Sequence, residues 1–191
     1  MRVFTISAIA GLFLAAAAAN ATPILVNGSF ETGDFTGWTD TGNTTFDGVA
    51  SGGFTYGPGD GTYFANFGAV GSDSTLSQTF SDTSGQSYNL SFWFASDGGS
   101  PADFSASIDS TTLLSIGPVV PGSGFTNYSF NFTGTGSDTL SFTNRNDPAY
   151  NYLDNISVTQ AIAVPEPGTL PLFATGLLAF FLLRRRNNFA G

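Results

Sequence analysis

The chain of 191 residues contains no cysteine, no histidine and no lysine. Without cysteine no disulfide can brace the fold, even in an oxidising compartment. Without the three together there is no Ser-His-Asp triad, no thiolate nucleophile, no Schiff-base lysine and no imidazole-bound zinc. Positive charge is nearly absent as well. The five basic residues are Arg2, Arg145 and Arg184 to Arg186, set against 14 Asp and Glu for a net charge of −9, so Arg145 is the one cation between the two ends. A body this acidic does not seek nucleic acid or an anionic membrane surface, and it suits a well-solvated protein able to attract divalent cations. Outside the two ends no stretch repeats apolar residues with the 3.6-residue period of a helix.

What is present falls into three parts. Met1 to Ala21 has an early basic residue, an apolar core from Val3 to Ala19 and a small-residue end, Ala19-Asn20-Ala21. That is the layout of a secretory signal peptide cut after Ala21, with a cut after Ala19 as the close alternative. Residues 22–160, about 140 residues, make one domain. Residues 161–191 form a tail in which Pro165-Glu166-Pro167 precedes an apolar run, Leu170 to Leu183, and then Arg184, Arg185 and Arg186. The run of fourteen residues partitions into a bilayer as a single C-terminal transmembrane helix, although it falls below the roughly 17–25 that span comfortably. The arginines act as a stop-transfer cluster on the cytoplasmic side. The prolines on either side of Glu166 keep the triplet extended, as a processing enzyme would need it.

The body reads as all-β. Phe-rich runs with period-2 alternation are separated by Gly, Ser, Thr, Asn and Asp, which gives candidate strands at Ile24–Phe30, Thr62–Phe67, Thr75–Phe80, Tyr88–Ala95, Phe104–Ile108, Thr111–Ile116, Thr126–Phe132, Thr139–Thr143 and Ile156–Gln160. Short strands at this spacing predict an antiparallel jelly-roll β-sandwich, with Gly48–Gly61 as a long surface loop. Within Tyr88–Ala95 the residues Tyr88, Leu90, Phe92 and Phe94 share one face and Asn89, Ser91 and Trp93 the other. Trp93 therefore stands among small polar residues on the outside of a sheet, where a sugar ring could stack on it, unless the register slips by one and turns it into the core. Tyr150 and Tyr152 are further candidate rim contacts for carbohydrate, in a stretch with Arg145 and Asn146 that reads as a loop. Trp38 is either a core residue or a ligand contact.

Two resemblances follow from these residues. The ordered triplet, apolar run and arginine cluster resemble the PEP-CTERM sorting signal of exopolysaccharide-producing Gram-negative bacteria. The resemblance implies that an exosortase, a membrane-embedded cysteine transpeptidase, cuts near Pro165-Glu166-Pro167 after export through the inner membrane and passes the body to the cell surface or extracellular matrix. The opening, Val26-Asn27-Gly28-Ser29-Phe30-Glu31 with Gly33-Asp34-Phe35-Thr36-Gly37-Trp38, and the closing Tyr152-Leu153-Asp154-Asn155-Ile156-Ser157-Val158 are similar to those of galactose-binding-like jelly rolls and xylanase-associated carbohydrate-binding modules. That likeness implies a structural calcium held by Glu31 and Asp154 with help from backbone carbonyls and water. Asn155 stands where a second Asp is common in those modules. Together the readings imply an exported non-catalytic surface or matrix protein associated with exopolysaccharide or another envelope glycan. The alternatives are a dedicated carbohydrate-binding module with one glycan ligand, and a carboxylate-based glycoside hydrolase in which Asp103 and Asp109 would be the acids.

Overall fold

A computed structural model of the chain describes residues 24–52, 61–122 and 124–161. The expected signal peptide, the apolar tail segment, Pro165, Glu166, Pro167 and Arg184 to Arg186 lie outside the described residues. No helix among the described residues is long and apolar enough to cross a membrane.

Alternation decides the architecture. Strand β5 (Ser87–Ser96) buries Tyr88, Leu90, Phe92 and Phe94 and leaves Asn89, Ser91 and Trp93 partly exposed. The same split recurs in β4 (Ser74–Ser81), β6 (Ala102–Ile108) and β9 (Ser137–Asn146), as it must when one face of a pleated strand meets a core. Around them lie β1 (Thr39–Gly42), β2 (Gly48–Ser51), β3 (Tyr63–Phe67), β7 (Thr111–Ile116), β8 (Thr126–Thr133) and β10 (Asn151–Gln160). They form two five-stranded sheets with orders β1-β4-β9-β6-β7 and β2-β3-β10-β5-β8, every pairing antiparallel. The sheets pack face to face as a β-sandwich, and the expected fold class holds.

The core between the sheets is aromatic. Phe30, Phe67, Phe92, Phe104 and Phe142 are fully or almost fully buried, together with Leu76, Leu90, Leu140, Leu153 and Val158. Phe142 is its centre: its ring lies 5.1 Å from Phe92, 5.9 Å from Phe104 and 6.3 Å from Trp38. Trp38 is buried and its indole N–H donates to the Asn27 carbonyl at 3.1 Å, so it closes one side of this core.

Three expectations need correction. Ile24–Phe30 is not a strand, because Asn27 and Phe30 take positive φ (51° and 56°) and the Phe30 N–H turns back to the Asn27 carbonyl at 3.2 Å. Gly28 sets its path: a Cβ there would fall 2.0 Å from the Ile156 carbonyl oxygen, whose own strand is bonded to this loop through Ile156 N–H and the Gly28 carbonyl (2.8 Å). Gly48–Gly61 is not all loop, since β2 pairs with β3 along Gly48–Ser51. Tyr152 belongs to β10 rather than to a loop, and Arg145 and Asn146 end β9.

Deleting the Phe142 ring removes the contact shared by both sheets. Phe142→Ala is expected to cost about 3–5 kcal/mol in urea unfolding, while Phe46→Ala, at an exposed position, changes stability by less than about 0.5 kcal/mol. Equal small losses would contradict a core centred on Phe142.

Candidate ligand-binding face

The outer face of the second sheet gathers residues from four strands. Pairing sets Ala50 opposite Phe64, Asn66 opposite Tyr152, Tyr152 opposite Ala95, and Trp93 between Asn127 and Asp154. Residues directly opposite in an antiparallel pair share a face, so these side chains stand on the side away from the core. On this face a cleft of about 460 Å³ is lined by Ala50, Phe64, Asn66, Asp97, Tyr150 and Tyr152, with Gly52 at its edge. Tyr150 and Tyr152 stack with ring centres 6.3 Å apart and an interplanar angle of 30°, and Phe64 meets Tyr152 edge-on at 5.7 Å. Phe125 closes on Phe64 from the far side at 6.4 Å.

Polar atoms fix the rings. Tyr152 Oη donates to Asp97 Oδ2 at 2.6 Å, and the Asp97 N–H donates to the Tyr150 carbonyl at 3.0 Å. Burial, and then the bond to Asp97, holds the Tyr152 hydroxyl well above the ordinary tyrosine pKa, so it stays a neutral donor. Asn66 Nδ2 donates to the Phe46 carbonyl, which steadies the amide on the rim. Flat apolar rings beside fixed amide, hydroxyl and carboxylate groups can stack on a sugar ring and bond its hydroxyls.

The expected carbohydrate contacts are therefore on one face but not in one cluster. Tyr150 and Tyr152 line the cleft. Trp93 is partly exposed on the same face, as the alternation implied, one strand over and outside the cleft lining. Phe64, Asn66 and Asp97 were missed. Phe64 sits in a run, Tyr63-Phe64, where both faces carry an aromatic and alternation is silent, and Asp97 follows β5 in an irregular loop.

Glu31 and Asp154 both accept backbone N–H groups in this structure. Glu31 Oε1 accepts the backbone N–H groups of Thr62 and Tyr63, both at 2.9 Å, and ties the opening loop to the start of β3. Gly61 permits this approach, since a Cβ there would lie 2.0 Å from Oε1. Asp154 Oδ1 accepts the N–H of Asn155 at 2.7 Å, at a bulge where Asn155 takes φ 48°. No group of three or more Asp, Glu, His or Cys occurs among the described residues, so a calcium ion at Glu31 and Asp154 would take most of its six to eight oxygens from backbone carbonyls and water.

Asp103 is pushed up by burial and by the charge of Asp73, with Arg145 opposing; it stands opposite Arg145 across the β6–β9 pair. Asp109 begins the turn after β6, where its Oδ1 accepts the Thr139 N–H at 2.9 Å. Six residue steps of extended chain separate the two, about 20 Å, which is too far for a hydrolase pair. Asp40 is raised to about 6 by burial and then by the charge of Asp47. Asp47 is also raised by burial, with Ser74 and the Gly68 N–H opposing.

Residues 163–186 match the PEP-CTERM protein-sorting motif. The chain carries a PEP-CTERM sorting signal. The body is similar in fold to TmCBM61, a carbohydrate-binding module solved with β-1,4-galactotriose, at a TM-score of 0.62 and 17% identity over 74% of this chain and 100% of that one. It is similar also to the Stig cyclase Fisc from Fischerella sp. TAU, with a TM-score of 0.57 and 18% identity over 75% of this chain and 100% of that one. A third likeness is to the enzymatically active domain of tailspike protein 4 of bacteriophage CBA120, with a TM-score of 0.56 and 18% identity over 73% of this chain and 21% of that one. No curated protein matches the chain. At these identities the likeness establishes the jelly-roll fold, which binding modules and enzymes share.

If Glu31 is an anchor for backbone donors, its acceptor oxygen matters and its charge matters less. Glu31→Ala is expected to lower stability by about 1 kcal/mol and Glu31→Gln by less than half of that. Both losses should be the same with calcium and with EDTA in chemical unfolding. A loss for Glu31→Gln that appears only with calcium present would contradict this role.

Proposed function

We propose that this protein is an exported, non-catalytic surface or matrix protein whose body binds an envelope glycan, with exopolysaccharide as the associated polymer. The observation that carries the reading is the cleft of Tyr150, Tyr152 and Phe64 beside Asn66 and Asp97 on the outer face of the second sheet. Support comes from the sorting signal, from the fold it shares with a module solved on a galactose oligosaccharide, and from a nearly cation-free body that a neutral or weakly charged sugar suits. On this reading a signal peptide directs export through the inner membrane, the apolar tail anchors the chain there for a time, and an exosortase recognises Pro165-Glu166-Pro167 and releases or re-attaches the body. Arg184 to Arg186 keep the end of the tail on the cytoplasmic side during that stage.

On this reading the cleft binds without chemistry. Its one acidic group, Asp97, is occupied by the Tyr152 hydroxyl, and the two buried carboxylates with raised pKa, Asp40 and Asp47, are not in its lining. A glycosidase needs two carboxylates about 5–10 Å apart across a bound sugar, and the cleft lining holds one. The narrower reading, a dedicated module with one ligand, differs only in selectivity and is favoured if one glycan in a panel stands out.

Retention of the purified full chain on the host's exopolysaccharide, and on a panel that includes β-1,4-galactotriose, tests the assignment. Tyr150→Ala and Tyr152→Ala are each expected to weaken binding about tenfold, the equivalent of one lost ring stack of about 1.4 kcal/mol, with a smaller loss for Trp93→Ala. Unchanged retention in all three variants with native melting curves would sink the proposal.

A further inference from the structure

At one end of the sandwich the chain twice crosses between the sheets. Residues 43–47 run from β1 in the first sheet to β2 in the second, and residues 68–73 return from β3 to β4. The two crossings are pinned together. The Asn43 N–H donates to the Asp73 carbonyl at 3.0 Å, the Asn43 amide donates to the Val70 carbonyl, and the Gly68 N–H donates to Asp47 Oδ1 at 3.0 Å. Gly42 takes φ 84° and could carry no side chain, since a Cβ would lie 2.6 Å from the Asp73 carbonyl oxygen.

Oxygen atoms collect under these crossings. Asp40 stands opposite Leu76, which is fully buried, so its side chain is on the core face of the first sheet. Ser74 and Asn144 are direct cross-strand partners, each fully buried. Asp47 is fastened to the 68–73 crossing that leads into Ser74, through the Gly68 N–H on its Oδ1. Yet Asp40 Oδ1, Asp47 Oδ2, Ser74 Oγ and Asn144 Oδ1 are all buried without completing a hydrogen bond. Such groups cost about 1–3 kcal/mol each when nothing meets them, and more when charged. A protein side chain cannot supply the missing positive charge. Arg145 is the one cation of the body, and it stands opposite Asp103 with Asp147 at 4.0 Å.

We infer that this end of the sandwich is a calcium site, with Asp40, Asp47, Ser74 and Asn144 as its side-chain ligands. Two carboxylates, a hydroxyl and an amide oxygen are hard donors, and with no sulfur or imidazole among them they select a hard divalent cation. Their irregular disposition on three strands and a loop suits the flexible shell of calcium better than the strict octahedron of magnesium. Backbone carbonyls of the crossings and water complete the six to eight oxygens. The ion would clip β1, β4, β9 and the 43–47 crossing together, a cross-link that a chain without cysteine cannot obtain from disulfides. It differs from the Glu31 and Asp154 site that the family resemblance implied, and it stands independently of glycan binding.

Calorimetric titration with CaCl2 of the full chain, first freed of metal with EDTA, tests the site, with melting followed in parallel. Wild type is expected to bind calcium and to melt higher with it. Asp40→Asn and Asp47→Asn should each weaken calcium binding about tenfold or more, because affinity follows the ligand charge, and should lose the calcium-dependent rise in melting. Asp40→Asn should also melt no lower than wild type in EDTA, since it removes an uncompensated buried charge. Glu31→Gln and Asp154→Asn should keep the calcium response. If either aspartate variant does not fold, Ser74→Ala serves in its place and is expected to weaken binding with the fold intact. Wild type indifferent to calcium and EDTA would mean that buried water satisfies these oxygens, and would overturn the inference. A calcium response that survives at Asp40 and Asp47 and disappears in Glu31→Gln would overturn it too.

Discussion

The structure depends on burying one phenylalanine-rich face of each sheet against the other. With no cysteine anywhere in the chain, this contact has to hold the domain without covalent help. Phe92 and Phe104 come from different sheets and both meet Phe142, so the stacking crosses the interface rather than running along one strand. Aromatic pairs contribute about 0.5–1.5 kcal/mol beyond the area they bury. Trp38 and Phe30 extend the same cluster into the opening loop, which is how a segment without strand structure becomes part of the core.

Because the inner faces carry the fold, the outer face of the second sheet is available for recognition. Its rings are held by the registers of β3, β10 and β5, and by the Tyr152–Asp97 bond, before any ligand arrives. A preformed site loses less entropy on binding. The acidic balance of the body adds a selection rule, since a strongly anionic polymer would be repelled at low salt and a neutral one would not. The sorting motif at residues 163–186 is separate in sequence from this body.

Where residues alternate, the sequence was a sufficient guide. In β5 the pattern of Tyr88, Leu90, Phe92 and Phe94 against Asn89, Ser91 and Trp93 fixed both the strand and its faces, and Thr111–Ile116 matched β7 at both ends. It was not sufficient where pairing partners decide. Strands β1 and β2 are four residues each, with no fully buried residue, and they exist because β4 and β3 offer free edges. Ile24–Phe30 has the composition of a strand, but Asn27 and Phe30 turn through positive φ to let Gly28 reach β10. The cleft was half legible. Tyr150 and Tyr152 could be named from their surroundings, whereas Phe64, Asn66 and Asp97 join them only through the long-range register of β3 with β10 and the path of an irregular loop.

The central claim is that ligand recognition sits on the outer face of the second sheet while the first sheet serves the fold. Amide hydrogen exchange of the full chain, with and without the host's exopolysaccharide, measures this most directly. The account predicts slowed exchange in Tyr63–Phe67, in residues 150–154 and around Asp97, with β4, β6 and β9 unchanged. Exchange that is unaltered at those sites, or slowed only in the first sheet, would contradict it.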